Sequence, residues 1–177
     1  MSITLLNHSR LLANIFIGVY LKTTLNFSYG QEIAMKTLQQ LLDSKKYKEV
    51  ISIAPHRPVF DALVILAEYQ IGALVVLEGE KLVGIFSERD YAREVILKGR
   101  SSKTTQISDV MTHHVICGKP DDTVQEAMTL LTSKNFRHLP VVENDKVIGI
   151  VSLGDLAKET IHYQQRLIKE LESCIKN

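Results

Sequence analysis

Two short stretches of the chain repeat one chemistry-bearing spacing. Ser87-Glu88-Arg89-Asp90 and Ser152-Leu153-Gly154-Asp155 each set a hydroxyl three residues ahead of a carboxylate. At a helix start, Ser-x-x-Asp acts as a capping box, in which the two side chains satisfy free backbone N–H groups. The same place suits a ligand. A helix N-terminus offers N–H donors and a positive dipole end to phosphate. A carboxylate beside it can accept hydrogen bonds from two ribose hydroxyls. Both readings hold for Ser87 with Asp90 and for Ser152 with Asp155, and the two aspartates are the candidate ribose contacts.

Arg137-His138 is the second feature. It directly precedes Leu139-Pro140-Val141, so it stands at the mouth of an apolar strand. Arg offers a fixed fork of donors for phosphate, and His adds a donor that pH can charge. The plainer alternative is a surface ion pair with Glu143 or Asp145, which contributes little. His113, His114 and Cys117 place three metal-ligand types within five residues. A structural zinc site wants four ligands, usually as two separated pairs, and no second pair follows. They are at best a weak metal candidate; His113 and His114 fit an exposed linker. No nucleophile has the local context of a hydrolytic triad, so no catalytic residue is assigned.

What must position these groups is an internal duplication. Residues 50–93 and 115–158 align without gaps at an offset of 65, with 15 identities in 44 positions. Chance would give about three, so the repeat is real. Val50-Ile51, Pro55, Val59, Ala62 and Leu66 recur as Val115-Ile116, Pro120, Val124, Ala127 and Leu131. Each copy reads β-α-β-β-α. The first strands are Val50–Ile53 and Val115–Cys117. The helices are Val59–Tyr69 and Val124–Ser133, with apolar residues three and four apart. Hairpins follow, Ala73–Leu77 with Leu82–Phe86 and Leu139–Val142 with Val147–Val151, turning at Glu78-Gly79-Glu80 and Glu143-Asn144-Asp145. Closing helices begin at Ser87 and Ser152. One copy is too small to bury its sheet well. The expectation is an α/β (α+β) fold of two pseudo-symmetric repeats, packed sheet to sheet around a shared core.

At this point the chain resembles a tandem pair of cystathionine β-synthase (CBS) domains, often called a Bateman module. Gly84-Ile85-Phe86-Ser87-Glu88-Arg89-Asp90 and Gly149-Ile150-Val151-Ser152-Leu153-Gly154-Asp155 fit the family's G-h-h-S/T-x-x-D pattern, h being apolar. Phe136-Arg137-His138-Leu139-Pro140-Val141-Val142 resembles its segment leading into a buried strand. The likeness covers roughly residues 47–160. It implies a stand-alone, bacterial-type regulatory module with no catalytic cofactor. Such modules bind adenosine-containing ligands: AMP first, with ADP, ATP, NAD(H) or S-adenosylmethionine as alternatives. It also implies that Arg137, His138 and Pro140 approach ribose and phosphates. The equivalents of Arg137 and His138 in the first repeat are Gly72 and Ala73, which supply no charge. The two sites should therefore differ, with Arg89 as a substitute cation in one of them. Adenine needs an apolar slot and backbone bonds, for which Ile51, Ser52 and Ile116 are candidates, with Thr112 near the ribose or base.

The remaining segments frame that module. Residues 1–34 form an N-terminal extension. Leu11–Leu21 is apolar but too short to span a bilayer and lacks a clear cleavage site. It is an accessory helix, a signal-like segment, or a stretch upstream of a natural start at Met35. Residues 35–100 hold the first repeat with a short amphipathic helix bearing Leu38, Leu41 and Leu42, and residues 101–160 hold the linker and second repeat. Residues 161–177 belong to a C-terminal helix, with Leu167, Ile168, Leu171 and Ile175 as an apolar stripe suited to a homodimer contact.

A composition of 45% apolar and 23% charged residues describes a globular protein, not a disordered one. A net charge of +1 argues against a broad nucleic-acid surface. Two cysteines make no disulfide framework and suit a reducing, cytoplasmic compartment, with export the alternative if residues 1–30 act as a signal. Three functions follow for test: a nucleotide sensor signalling to an effector protein, a scaffold dimer with empty clefts, and an enzyme acting on the nucleotide. The first is preferred, without catalysis, nucleic acid or membrane.

Overall fold

A buried apolar run followed by a half-buried strand forms a hairpin at the same register in both repeats. The computed structural model describes residues 34–46 and 48–175; the expectations for the apolar run at Leu11–Leu21 lie outside them. The elements are α1 (Leu38–Asp43), β1 (Ser52–Ile53), α2 (Val59–Tyr69), β2 (Ala73–Glu78), β3 (Lys81–Ser87), α3 (Glu88–Asp90), α4 (Val124–Lys134), β4 (His138–Glu143), β5 (Lys146–Ser152) and α5 (Leu153–Ile175). Beyond α3 the chain widens into a π-helix, Tyr91–Ile96, and a 3-10 turn covers Ile107–Asp109. β1 runs parallel to β2, and β2 antiparallel to β3. β4 and β5 pair antiparallel.

The offset of 65 holds down to single bonds. Ala73 faces Ser87 as His138 faces Ser152, and the register slips at Val76/Leu77 as it does at Val141/Val142. The second hairpin turns on Asn144 and Asp145, both at positive φ, which suits a tight hairpin turn. The first strands are shorter than the sequence suggests. Val50–Ile51 stay outside β1, and Val115–Cys117 form no strand. A single bridge, Gly118 to Val141, stands where Ile53 pairs Val76. Pro55 and Pro120 follow closely, and a residue without an N–H ends a ladder. Gly118 is also closely approached. A Cβ there would lie 2.8 Å from Leu38 Cδ1 and 3.0 Å from Leu139 Cδ2.

Burial follows two clusters rather than one shared core. Val59, Leu66, Leu74, Val76 and Phe86 anchor the first; Val124, Leu131, Leu139, Val141 and Val151 anchor the second. Each is completed by the segment preceding the other repeat. Ile107 and Val110 close the first core, whereas Leu38 and Leu41 of α1 close the second. The backbone bonds match in pairs. Val59 N–H donates to Thr105 O (2.9 Å) and Ile107 N–H to Arg57 O (2.9 Å). Val124 N–H donates to Lys36 O (3.0 Å) and Leu38 N–H to Asp122 O (2.8 Å). Two glycines make the room. A Cβ at Gly84 would lie 2.5 Å from Met111 Sδ, and one at Gly149 2.6 Å from Leu42 Cδ2. The repeats meet along β3 and β5, and Lys146 reaches the first hairpin's tip to pair with Glu80 at 2.8 Å.

Candidate functional site

β3 must end where its last residue can cap the following turn, and Ser87 does so. Its Oγ donates to Asp90 Oδ2 at 2.6 Å, its N–H donates to the same oxygen at 2.9 Å, and Asp90 N–H returns a bond to Oγ at 3.3 Å. The capping box expected from the sequence is formed. Among the described residues, the bonds accepted by the Asp90 carboxylate fall on Oδ2, which leaves Oδ1 for a ligand. Ser152 and Asp155 repeat the geometry at the start of α5, with both bonds at 2.8 Å.

Asp90 lies on a cleft of about 1000 Å³ whose wall is drawn from both repeats and the linker. The first repeat contributes Gly72, Ile85, Ser87, Glu88, Arg89, Asp90 and Arg93. The linker contributes Thr112 and His114, and the second repeat contributes Val115, Ile116 and Lys134 through His138. Thr112 is held there by two backbone bonds with Ile85, at 3.0 and 2.9 Å. Asn135, the left-handed C-cap of α4, turns the chain so that Phe136, Arg137 and His138 enter the cleft wall. Arg89 crosses between the repeats and donates to Asn135 O at 3.1 Å.

Eight of the residues singled out from the sequence meet in this cleft: Ser87, Asp90, Arg89, Gly72, Arg137, His138, Thr112 and Ile116. Six lie elsewhere. Ala73 and Pro140 are buried in β2 and β4. Ile51 packs on the first core, and Ser52 pairs with Val75 in β1. Ser152 and Asp155 hold the N-terminus of α5, where Lys45 Nζ donates to Asp155 Oδ2 at 2.9 Å. Sequence reasoning misses Glu88, Arg93, Lys134, Asn135 and Phe136 as wall residues. Arg93 stands one turn beyond Asp90, so helical spacing is the signal that points to it; Lys134 ends α4 just before the left-handed turn at Asn135, and no local spacing points to it.

The electrostatics favour an anion. Arg89, Arg93, Lys134 and Arg137 outnumber Glu88 and Asp90 on the wall. Burial holds the His138 imidazole below its ordinary range; Asp155 opposes this, while Lys45, Arg137 and Arg89 reinforce it. Burial also raises the Asp155 carboxyl, but Lys45 and the Ser152 bonds outweigh it and hold the group below the usual carboxylate range. Ile85, Val115, Ile116 and Phe136 supply an apolar slot. His113, His114 and Cys117 assemble no site: among the described residues, no group of three or more His, Cys, Asp or Glu is placed to hold a metal. Burial pushes the Cys117 thiol up, away from the reactive thiolate. No described helix is long and apolar enough to cross a membrane.

The family model described as "CBS domain" matches residues 46–97 and 107–162. The mitochondrial CBS domain-containing protein CBSX3 of Arabidopsis thaliana is 38% identical over 122 residues, covering 66% of this chain and 59% of its own length. This chain therefore spans little more than half of that relative. A signal-transduction protein with CBS domains from Burkholderia ambifaria superposes with a TM-score of 0.69 at 40% identity, over 72% of this chain and 95% of that one. A CBS domain pair crystallised with 5′-methylthioadenosine and S-adenosyl-L-methionine superposes with a TM-score of 0.62 at 24% identity, over 71% of this chain and 95% of that one. At that identity the likeness shows the fold.

Proposed function

The chain belongs to the CBS domain family, as a tandem pair, and on that premise we propose that it is a regulatory module that binds an adenine nucleotide in the Asp90 cleft. One observation carries the reading: a carboxylate, an apolar slot and a cluster of cations converge on one cleft built from both repeats. In this assignment Asp90 accepts the ribose hydroxyls, and Ile116, Val115 and Ile85 flank the base. Thr112 lies beside the sugar, and Arg137, His138 and Arg89 take the phosphates. Fixed guanidinium forks suit phosphate oxygens better than any neutral or cationic substituent. That preference ranks AMP, ADP, ATP and NAD(H) above S-adenosylmethionine, whose sulfonium would face the cations.

The ligand bridges elements of both repeats, so it favours the arrangement of the pair that closes on it. A ligand shifts such an equilibrium only through differential affinity for the two states. The output goes to an effector protein, with no chemistry on the nucleotide. The exposed apolar stripe of α5, with Ile168, Leu171 and Ile175, supports a homodimer. Free cysteines support a reducing, cytoplasmic setting.

The test is a thermal-shift screen of ligand-free protein with AMP, ADP, ATP, NAD, NADH and S-adenosylmethionine. A ligand at a hundred times its dissociation constant adds about 2.7 kcal/mol to the native state. The proposal expects a shift with the phosphate-bearing ligands that Asp90→Ala abolishes. No shift with any of the six leaves the nucleotide-independent scaffold as the reading.

A further inference from the structure

The surroundings of Asp90 and of its pseudo-symmetric counterpart Asp155 are not equivalent, and the difference arises in one segment. Ile85, Ser87, Asp90 and Ile116 have the counterparts Ile150, Ser152, Asp155 and Ile51 at the offset of 65. Met111 at Gly84 and Leu42 at Gly149 are likewise equivalent contacts. From Met111 to Val115 the chain takes four steps, but from Leu42 to Val50 it takes eight. The longer path brings Lys45 inward. Its ammonium donates to Asp155 Oδ2 at 2.9 Å and to Ile150 O at 2.9 Å, with about a quarter of each side chain exposed (28% and 26%). In the other half the carbonyl of Ile85 accepts the backbone N–H of Thr112 instead.

A lysine ammonium thus sits on the carboxylate whose counterpart, in the reading above, receives the ribose. Three of the four cations on the Asp90 wall also have uncharged equivalents around Asp155. Arg137, Lys134 and Arg89 correspond to Gly72, Tyr69 and Gly154, and only Arg93 keeps a charge, as Lys158. We propose that Lys45 takes the place of a ligand beside Asp155, so that each chain binds one nucleoside, at Asp90. Lys45 is then the residue that sets stoichiometry. This rests on the nucleotide reading of the Asp90 cleft.

Adenosine is the suitable probe, because an uncharged nucleoside needs no cations beside Asp155. Calorimetry should give one adenosine per wild-type chain and two per chain for Lys45→Ala and for Lys45→Gln, which keeps most of the side chain's length. Two sites in wild type, or one site in both folded variants, overturns the proposal. Reductive methylation with labelled formaldehyde is the second arm, and it needs no ligand. Lys45 should react about fivefold more slowly than the exposed Lys169, because its ammonium is held by a charge-assisted bond, and Asp155→Asn should abolish that protection. Equal rates in wild type overturn the plug. Wild type that binds no adenosine or nucleotide overturns the reading of the Asp90 cleft, and the labelling then decides Lys45 alone.

Discussion

His138 of the second repeat occupies the space beside Gly72 of the first: a Cβ added at Gly72 would lie 3.3 Å from His138 Nε2 and 3.6 Å from Glu88 Oε2. Gly72 corresponds by the repeat to Arg137, so the sequence marks it as a lost cation. Its small size has a use of its own, since it lets an imidazole from the other repeat reach the cleft wall. Gly72→Ala would push His138 by a few tenths of an ångström. The expected outcome is a stability loss of about 1 kcal/mol, typical of slight overpacking, together with weaker nucleotide binding. Melting and titration of the variant check both, and an unchanged dissociation constant would separate His138 from the ligand.

The exchanged core segments predict where damage travels. Leu38 and Ile107 are fully buried in opposite cores. Truncating either to Ala removes about 2–5 kcal/mol, as buried Leu or Ile to Ala changes do. Leu38→Ala should accelerate amide exchange in α4 and β4 of the second repeat. Ile107→Ala should do so in α2 and β2 of the first. Faster exchange in β1–β3 for Leu38→Ala would contradict the arrangement.

His138 sets a pH dependence with a definite sign. Its folded-state pKa is lowered, so the unfolded chain binds the proton more readily. Stability therefore falls as pH drops below the unfolded value of about 6.5, and goes on falling until the folded pKa is passed. The groups facing the imidazole are Asp155, Lys45, Arg137, Arg89 and, across Gly72, Glu88. Asp155, with its lowered pKa, acts in a separate window: its stabilisation holds above the ordinary carboxylate range and is lost as pH falls toward its folded value. Denaturant titrations between about pH 8 and 5 should show a slope that His138→Gln reduces. An identical slope in that variant would place the cause elsewhere.

Much of this architecture is legible in the order of residues alone. Short apolar runs bounded by polar turns locate β2 to β5 within a residue of their ends: β2 and β4 are buried along most of their length, and β3 and β5 bury every second residue near their ends. The Ser-x-x-Asp spacing locates both caps, since that geometry is local. What the sequence hides is long-range. Nothing in Leu38 or Ile107 says that each completes the core of the repeat farther along or behind it. The insertion around Lys45 is visible only as a change of offset, and its meaning comes from the carboxylate it meets. Lys134 carries no local mark, because its importance depends on which elements face one another. The first strands come out too long from the sequence because apolar runs do not reveal where a pairing partner ends.

The measurement closest to the central claim is a calorimetric titration of ligand-free wild type and Asp90→Ala with AMP and ATP. The account expects saturable binding to wild type, one nucleotide per chain. It also expects at least about tenfold weaker binding to the variant, a loss of about 1.4 kcal/mol, with the variant still folded by its melting transition. Binding of equal strength to both proteins, or none to wild type, would contradict it.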